Sequence, residues 1–168
     1  MPYLEYKPEL WSKIFVAERD NLHFLLPQFR FNVEHIGATS VANCRSFRNV
    51  DILLSVHDFK DISTVSMLLA SKEYKVIEEY STVECMVLVK RYKYEKVGIT
   101  VRVVQYAGTF FNRCHAFQSL LKESYDRVQK YNTYREELFI HYNGDIAQYN
   151  KIKQTYINSL IDDNFKFE

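Results

Sequence analysis

Two hydrophobic periods alternate along this chain, and each switch between them marks an element. Across positions 8–26, Leu10, Trp11, Ile14, Phe15, Leu22, Leu25 and Leu26 recur every three or four residues. That spacing predicts an amphipathic helix, opened by Pro8 and stopped by Pro27, with Trp11 anchoring its apolar stripe. The period then falls to two. Positions 31–36 read as a strand closed by Gly37, and after a polar connector Val50, Ile52, Leu54 and Val56 line one face of a second strand. Asp51 falls on the opposite face, beside the strand's entry.

Positions 58–72 return to helical spacing, with Phe59, Ile62, Val65, Leu68 and Leu69 expected inward. Strands are expected over 74–80, 84–93 and 97–105, the last entered near Gly98. Their Lys and Arg residues are read as solvated faces or edge protection. From Thr109 the pattern is helical to the end. Phe110, Cys114, Phe117 and Leu121 form one stripe, and Tyr125, Val128, Tyr131 or Arg135, Leu138 and Tyr142 a second. Ile146, Tyr149, Ile152, Tyr156 and Leu160 form a third. Asn143-Gly144-Asp145 separates the last two, with Asp145 as a helix cap. One mixed sheet of about five strands under a C-terminal helical cap makes an α+β fold.

Length and composition narrow this further. A chain of 168 residues with 47% hydrophobic and 26% charged positions suits a single domain, 1–168, with a substantial core. Four Gly and three Pro leave little for linkers. A net charge of +1 gives no global pull on nucleic acid or acidic membranes, so no specific nucleic-acid binding is expected. No apolar run approaches about 18 residues and the N-terminal MPYLEYKPELW has no apolar leader core, so neither membrane nor export is expected. Cys44, Cys85 and Cys114 are odd in number and widely spaced, which argues against a disulfide framework or zinc site and fits a reducing cytoplasm. Cys114 and His115 are helical neighbours and so do not face one another.

The candidate chemistry gathers around the first two strands. A strand, a Gly37-Ala38-Thr39-Ser40 turn and Asp51, fourteen positions after Gly37, can assemble a phosphate and metal site. The turn's N–H groups would face an anion and the carboxylate a hard cation.

The stretch His35-Ile36-Gly37-Ala38-Thr39-Ser40-Val41, followed by Val50-Asp51-Ile52-Leu53, resembles the signature of the GrpB family. The usual signature runs histidine, aliphatic, Gly-Ser-Thr, then Val-Pro-Gly, Lys-Pro and an aliphatic-Asp-aliphatic strand. The likeness continues through Tyr6, Pro8 and Trp11, then Ala116-Phe117-Gln118, Tyr131 with Arg135, His141 to Asp145, and Tyr149 with Lys153. It implies a nucleotidyltransferase-like fold. Transfer in that fold class uses divalent ions, Mg²⁺ or Mn²⁺, held by an Asp-x-Asp pair and a third carboxylate. Here Leu53 stands two positions after Asp51, and Ala38 replaces the turn's serine. Thr100 and Arg102 stand where the family carries His-x-His, Phe47-Arg48 where it carries Lys-Pro, and Gln118 where it carries a helical Arg.

These departures favour a pocket over a metal centre. Arg102, Arg48 or Arg45, Arg135 and Lys153 are expected to converge on the Gly37 turn and hold a phosphate, with Asp51 fixing an arginine or a ribose-like hydroxyl. Taken alone, Lys153 is a solvent-exposed helical lysine, Arg102 a sheet-face ion pair and His35 a core-edge imidazole. The leading expectation is a nucleotide or other phosphorylated small molecule bound around Gly37 and Asp51, with a degenerate metal site. An active nucleotidyl- or phosphotransferase with unusual metal ligands is one alternative. A partner-binding protein or homodimer is another, because Tyr125, Tyr131, Tyr134, Tyr142 and Tyr149 cannot all be interior.

Overall fold

A computed structural model gives the architecture and describes residues 4–93 and 96–166. The first three residues of the N-terminal stretch MPYLEYKPELW lie outside that range. Five helices and five strands follow in the order α1 (Pro8–Leu25), β1 (Phe31–Ile36), β2 (Asn49–Val56), α2 (Asp61–Ala70), β3 (Lys75–Val76), β4 (Cys85–Tyr92), β5 (Val97–Gln105), α3 (Thr109–Lys122), α4 (Tyr125–His141) and α5 (Ile146–Asn164). The sheet order is β1-β2-β5-β4-β3. Only β2 and β5 run parallel, and the other neighbours are antiparallel. The sheet is thus mixed and the fold α+β.

Both faces of the sheet are covered. Val50, Ile52, Leu54, Val56, Ile99, Val101 and Val103 pack with Trp11, Ile14 and Leu22 of α1 and Ile62, Val65 and Leu69 of α2. Removing the Trp11 side chain from that layer would cost about 3–5 kcal/mol. On the other face Ile36, Leu53, Cys85, Val87 and Val104 pack beneath Phe111 and Cys114 of α3. A third cluster joins the segment after Gly37 to the helical cap: Ala38, Val41 and Cys44 lie against Ala116, Phe117 and Leu121 of α3, Val128 and Tyr131 of α4 and Ile161 of α5. Asp145 caps α5, its side chain accepting from the Gln148 N–H at 3.1 Å.

Four expectations need correction. The strand expected over 74–80 is only Lys75–Val76, because Glu78–Tyr80 turn as a short 3₁₀ segment. The second helix begins at Asp61, after a turn in which Asp58 accepts from the Lys60 N–H, so Phe59 stands before the helix and is 46% exposed. Phe110, in the first turn of α3, is also exposed. Lys90 is not a solvated strand residue: its ammonium pairs with Glu18 of α1 at 2.7 Å, with the two side chains only 9% and 3% exposed. Of the tyrosines expected to overflow the core, Tyr131 and Tyr149 are buried, Tyr134 stacks on Tyr156 at 4.2 Å, and Tyr125 is exposed.

Candidate functional site

The register of β1, β2 and β5 places the candidate residues. Ile36 pairs with Asp51 across β1 and β2, and Asp51 with Thr100 across β2 and β5. Asp51 therefore sits at the entry of β2, one residue from the point where β1 bends away at Gly37. Gly37 has φ +72° and ψ −169°, a region essentially reserved for glycine. A Cβ there would lie 3.0 Å from Asp51 Oδ2. The turn and the acid are in contact.

The turn's own polar groups are largely spent on holding it. The Gly37 N–H donates to Gln118 Oε1 at 3.2 Å, and the Ser40 hydroxyl donates to the Gly37 carbonyl at 2.7 Å. Gln118 Nε2 donates back to Ser40 Oγ and to the His35 carbonyl. His35 Nε2 lies 2.8 Å from Thr39 Oγ1, and its ring stacks on Phe15 at 4.9 Å. Burial drives the His35 imidazole down to about 4, against the pull of Asp51 and with help from Lys122, so it is neutral at physiological pH. Gln118 is the brace that sequence reading registered only as a substitution; its place in Ala116-Phe117-Gln118 was the available signal. A hollow of about 150 Å³ opens alongside, lined by Glu34, His35, His115, Gln118 and Lys122 among others. His115 turns to Glu34 at 3.1 Å, while Cys114 joins the sheet-side core.

Among the described residues Asp51 has one close cationic partner. Arg102 Nη1 donates to Asp51 Oδ1 at 2.9 Å, with the two side chains 36% and 26% exposed, so solvent reaches the pair. Burial works against the charged guanidinium, but the carboxylate more than offsets it and raises the Arg102 pKa. Thr100 is tied to Asn49 by a 3.2 Å bond from Asn49 Nδ2. Asn49 also explains Gly98, whose absent Cβ would lie 2.5 Å from Asn49 Oδ1.

Lys153 completes the cluster and is not the exposed lysine that its helix position suggests. It is half-buried on α5, its ammonium 3.3 Å from Asn150 Oδ1 and 5.3 Å from the Tyr149 ring centre. Burial lowers its pKa to about 8; Asp51 counteracts this, while Arg135 and Arg102 add to it. Arg135 is buried and grips the connector before β2, donating to the Arg45 carbonyl and, at 3.4 Å, to Cys44 Sγ, with its guanidinium 4.3 Å from the Tyr131 ring centre. Asn132 shares the grip, accepting from the Arg45 N–H and donating to the Asn43 carbonyl, each at 2.9 Å.

Two expected contributors are committed elsewhere. Arg45 pairs with Glu136 and Arg48 with Glu5. The structure thus brings Asp51 and Arg102 together beside Gly37, with Lys153 within electrostatic reach of Asp51, Arg102 and Arg135.

This set does not fit a divalent cation. Among the described residues no group of three His, Cys, Asp or Glu side chains is placed to hold a metal. Leu53, where a second carboxylate would stand, is fully buried under the cap. Asp51 Oδ1 already accepts from a guanidinium, and a hard dication finds a single carboxylate surrounded by positive charge.

Comparisons with known proteins give the fold its context. The chain is similar to the conserved protein GrpB from Enterococcus faecalis, with a TM-score of 0.79 and 24% identity over 97% of this chain and 96% of that one. It is similar in fold to a chain of the GLD-2/RNP-8 complex (TM-score 0.50, 14% identity, 71% of this chain and 39% of that one). It is likewise similar to the polymerase core of TRAMP, an RNA surveillance complex (TM-score 0.51, 11% identity, 79% and 41%). The chain spans about two fifths of the length of these two chains. No curated protein matches it. The fold is nucleotidyltransferase-like, and no helix among the described residues is long and apolar enough to cross a membrane. A profile described as GrpB protein matches residues 3–163, and the chain belongs to the GrpB family.

Proposed function

We propose that this protein binds a phosphorylated small molecule, a nucleotide or a compound of similar charge, at the Asp51–Arg102–Lys153 cluster, without metal-dependent transfer. One observation carries the reading: Arg102, paired with Asp51 at 2.9 Å beside Gly37 and partly open to solvent, acts together with Arg135 on the half-buried Lys153. The excess positive charge is partly desolvated, which is the condition under which a multivalent anion gains most from docking. Arg102 supplies the planar fork suited to phosphate, and its partial exposure leaves it in reach of solvent. Gly37 keeps the backbone clear above Asp51. In this reading Gln118 and the Thr39 and Ser40 hydroxyls set the shape of the turn.

Calorimetric titration with ATP, ADP and pyrophosphate tests it, first in EDTA and then with Mg²⁺ or Mn²⁺. Binding is expected in EDTA, falling as salt rises and lost in Arg102→Ala. A ligand at a hundred times its Kd adds about 2.7 kcal/mol of stability, which thermal unfolding reads independently. Binding that requires the divalent ion and disappears in Asp51→Ala would replace this reading with that of a working transferase. Silence from all three anions would remove both.

A further inference from the structure

β1 is an edge strand: the sheet order is β1-β2-β5-β4-β3, so its outer side has no described strand beside it. Gln118 of α3 occupies one end of that side. Its Nε2 donates to the His35 carbonyl at 3.4 Å, and its Oε1 accepts from the Gly37 N–H at 3.2 Å. Those are the two bonds that one residue of a parallel neighbour, placed opposite Ile36, would make. The side-chain amide stands in for a strand residue. In an antiparallel pair a residue turns its N–H and C=O to the same side, so the His35 N–H and both backbone groups of Val33 also face outward. Among the described residues no loop or cap backbone group bonds to them.

The hollow of about 150 Å³ lies against this edge. One wall is β1; the other is α3, with His115, Gln118, Ser119 and Lys122 at helical positions i, i+3, i+4 and i+7. His115 closes one side by meeting Glu34 at 3.1 Å, while Ser119 and Lys122 are exposed.

We propose that this edge receives the C-terminal end of an extended peptide, added parallel to β1, with its terminal carboxylate beside Lys122. Gln118 fills the next place in the ladder, so an added strand stops opposite Glu34. A parallel chain reaches that point with its C-terminus. There its last N–H donates to the Val33 carbonyl and its carboxylate accepts from the His35 N–H. The ammonium of Lys122 and the hydroxyl of Ser119 on the same hollow favour a carboxylate end over an ammonium end. The last side chain enters the hollow, and a volume of this size holds a group about as large as a benzene ring. Neither Asp51 nor Arg102 takes part, so the inference stands apart from the anion-binding reading.

The test uses fluorescein-labelled tetrapeptides Thr-Val-Thr-X, with X each amino acid in turn, as free acids and as C-terminal amides, read by fluorescence anisotropy. At least one free acid is expected to bind. Amidation, or Lys122→Met checked for native fold by circular dichroism, should weaken it about tenfold or more, the scale of a lost charged hydrogen bond. Methylating the last peptide nitrogen removes the donor to Val33 and should abolish binding. Backbone amide resonances of Val33 and His35 should shift most when the bound acid is added. Failure of every free acid to bind, equal binding of acid and amide, full affinity in Lys122→Met, or shifts centred on Asp51 and Arg102 overturns the proposal.

Discussion

The Asp51 carboxylate lies 3.0 Å from the point where a side chain on Gly37 would begin, and Gly37 holds φ +72°. Two separate constraints therefore exclude a side chain at this position. Gly37→Ala is expected to lose about 1–3 kcal/mol from backbone strain. Placing Gly37→Ala in an Asp51→Ala background divides the cost, since the contact disappears and the strain remains. Urea unfolding of the single and double variants reads the two parts. An undiminished midpoint in Gly37→Ala would mean that the turn relaxes and does not hold its shape against Asp51.

On the opposite face, Glu18 and Lys90 fasten α1 to β4. Glu18 also accepts from the Tyr74 hydroxyl and from Asn21, and the Lys90 ammonium lies 4.8 Å from the Tyr74 ring centre. Lys90→Met leaves a buried carboxylate uncompensated and is expected to cost about 3–5 kcal/mol. Adding Glu18→Gln should recover most of that, because the amide keeps an acceptor for Tyr74 and carries no charge. Denaturant midpoints for the single and double variants check this; a double variant no better than Lys90→Met would refute it.

The inner strands and the α1 stripe were legible because burial imposes their period on the sequence: Val50, Ile52, Leu54 and Val56 are all fully buried, and Trp11 is in the same layer. The contact between Gly37 and Asp51 could be anticipated from strand, turn and strand alone. What the sequence hid was pairing between distant elements. Glu18 and Lys90 are 72 positions apart and read as ordinary surface charges, yet each is the reason the other can be buried. Phe59 has the right spacing for α2, but the helix starts two residues later and leaves it outside. Arg45 and Arg48 sit near Asp51 in sequence, and only the fold shows that Glu136 and Glu5 engage them.

His35 gives the protein an acid-sensitive element. Its folded pKa is depressed to about 4 from 6.5, so the unfolded chain takes up a proton below 6.5 while the folded protein resists until about 4. Stability is therefore lost as pH falls from 6.5 to 4 and this contribution is flat below that. The loss in the wild type should exceed that in His35→Gln by about 2–3 kcal/mol over the window. Parallel stability curves for the two proteins would show that the imidazole is not held neutral.

Lys153 acts at the alkaline end of the pH range. Its folded pKa is lowered to about 8 from 10.5, chiefly by burial, so between those values the unfolded chain binds the proton that the folded protein has released. This contribution makes stability rise with pH from about 8 to 10.5, with the full penalty for a charged amine present below 8. Lys153→Met should therefore be more stable than wild type at pH 7, by about 1–3 kcal/mol, with the gap closing as pH approaches 10.5. At the anion site proposed above, a bound phosphate would restore the charged amine, so pyrophosphate binding near pH 9 is expected to take up a proton. Calorimetry in buffers of different ionisation enthalpy measures that uptake, and its persistence in Lys153→Met would assign the proton to another group.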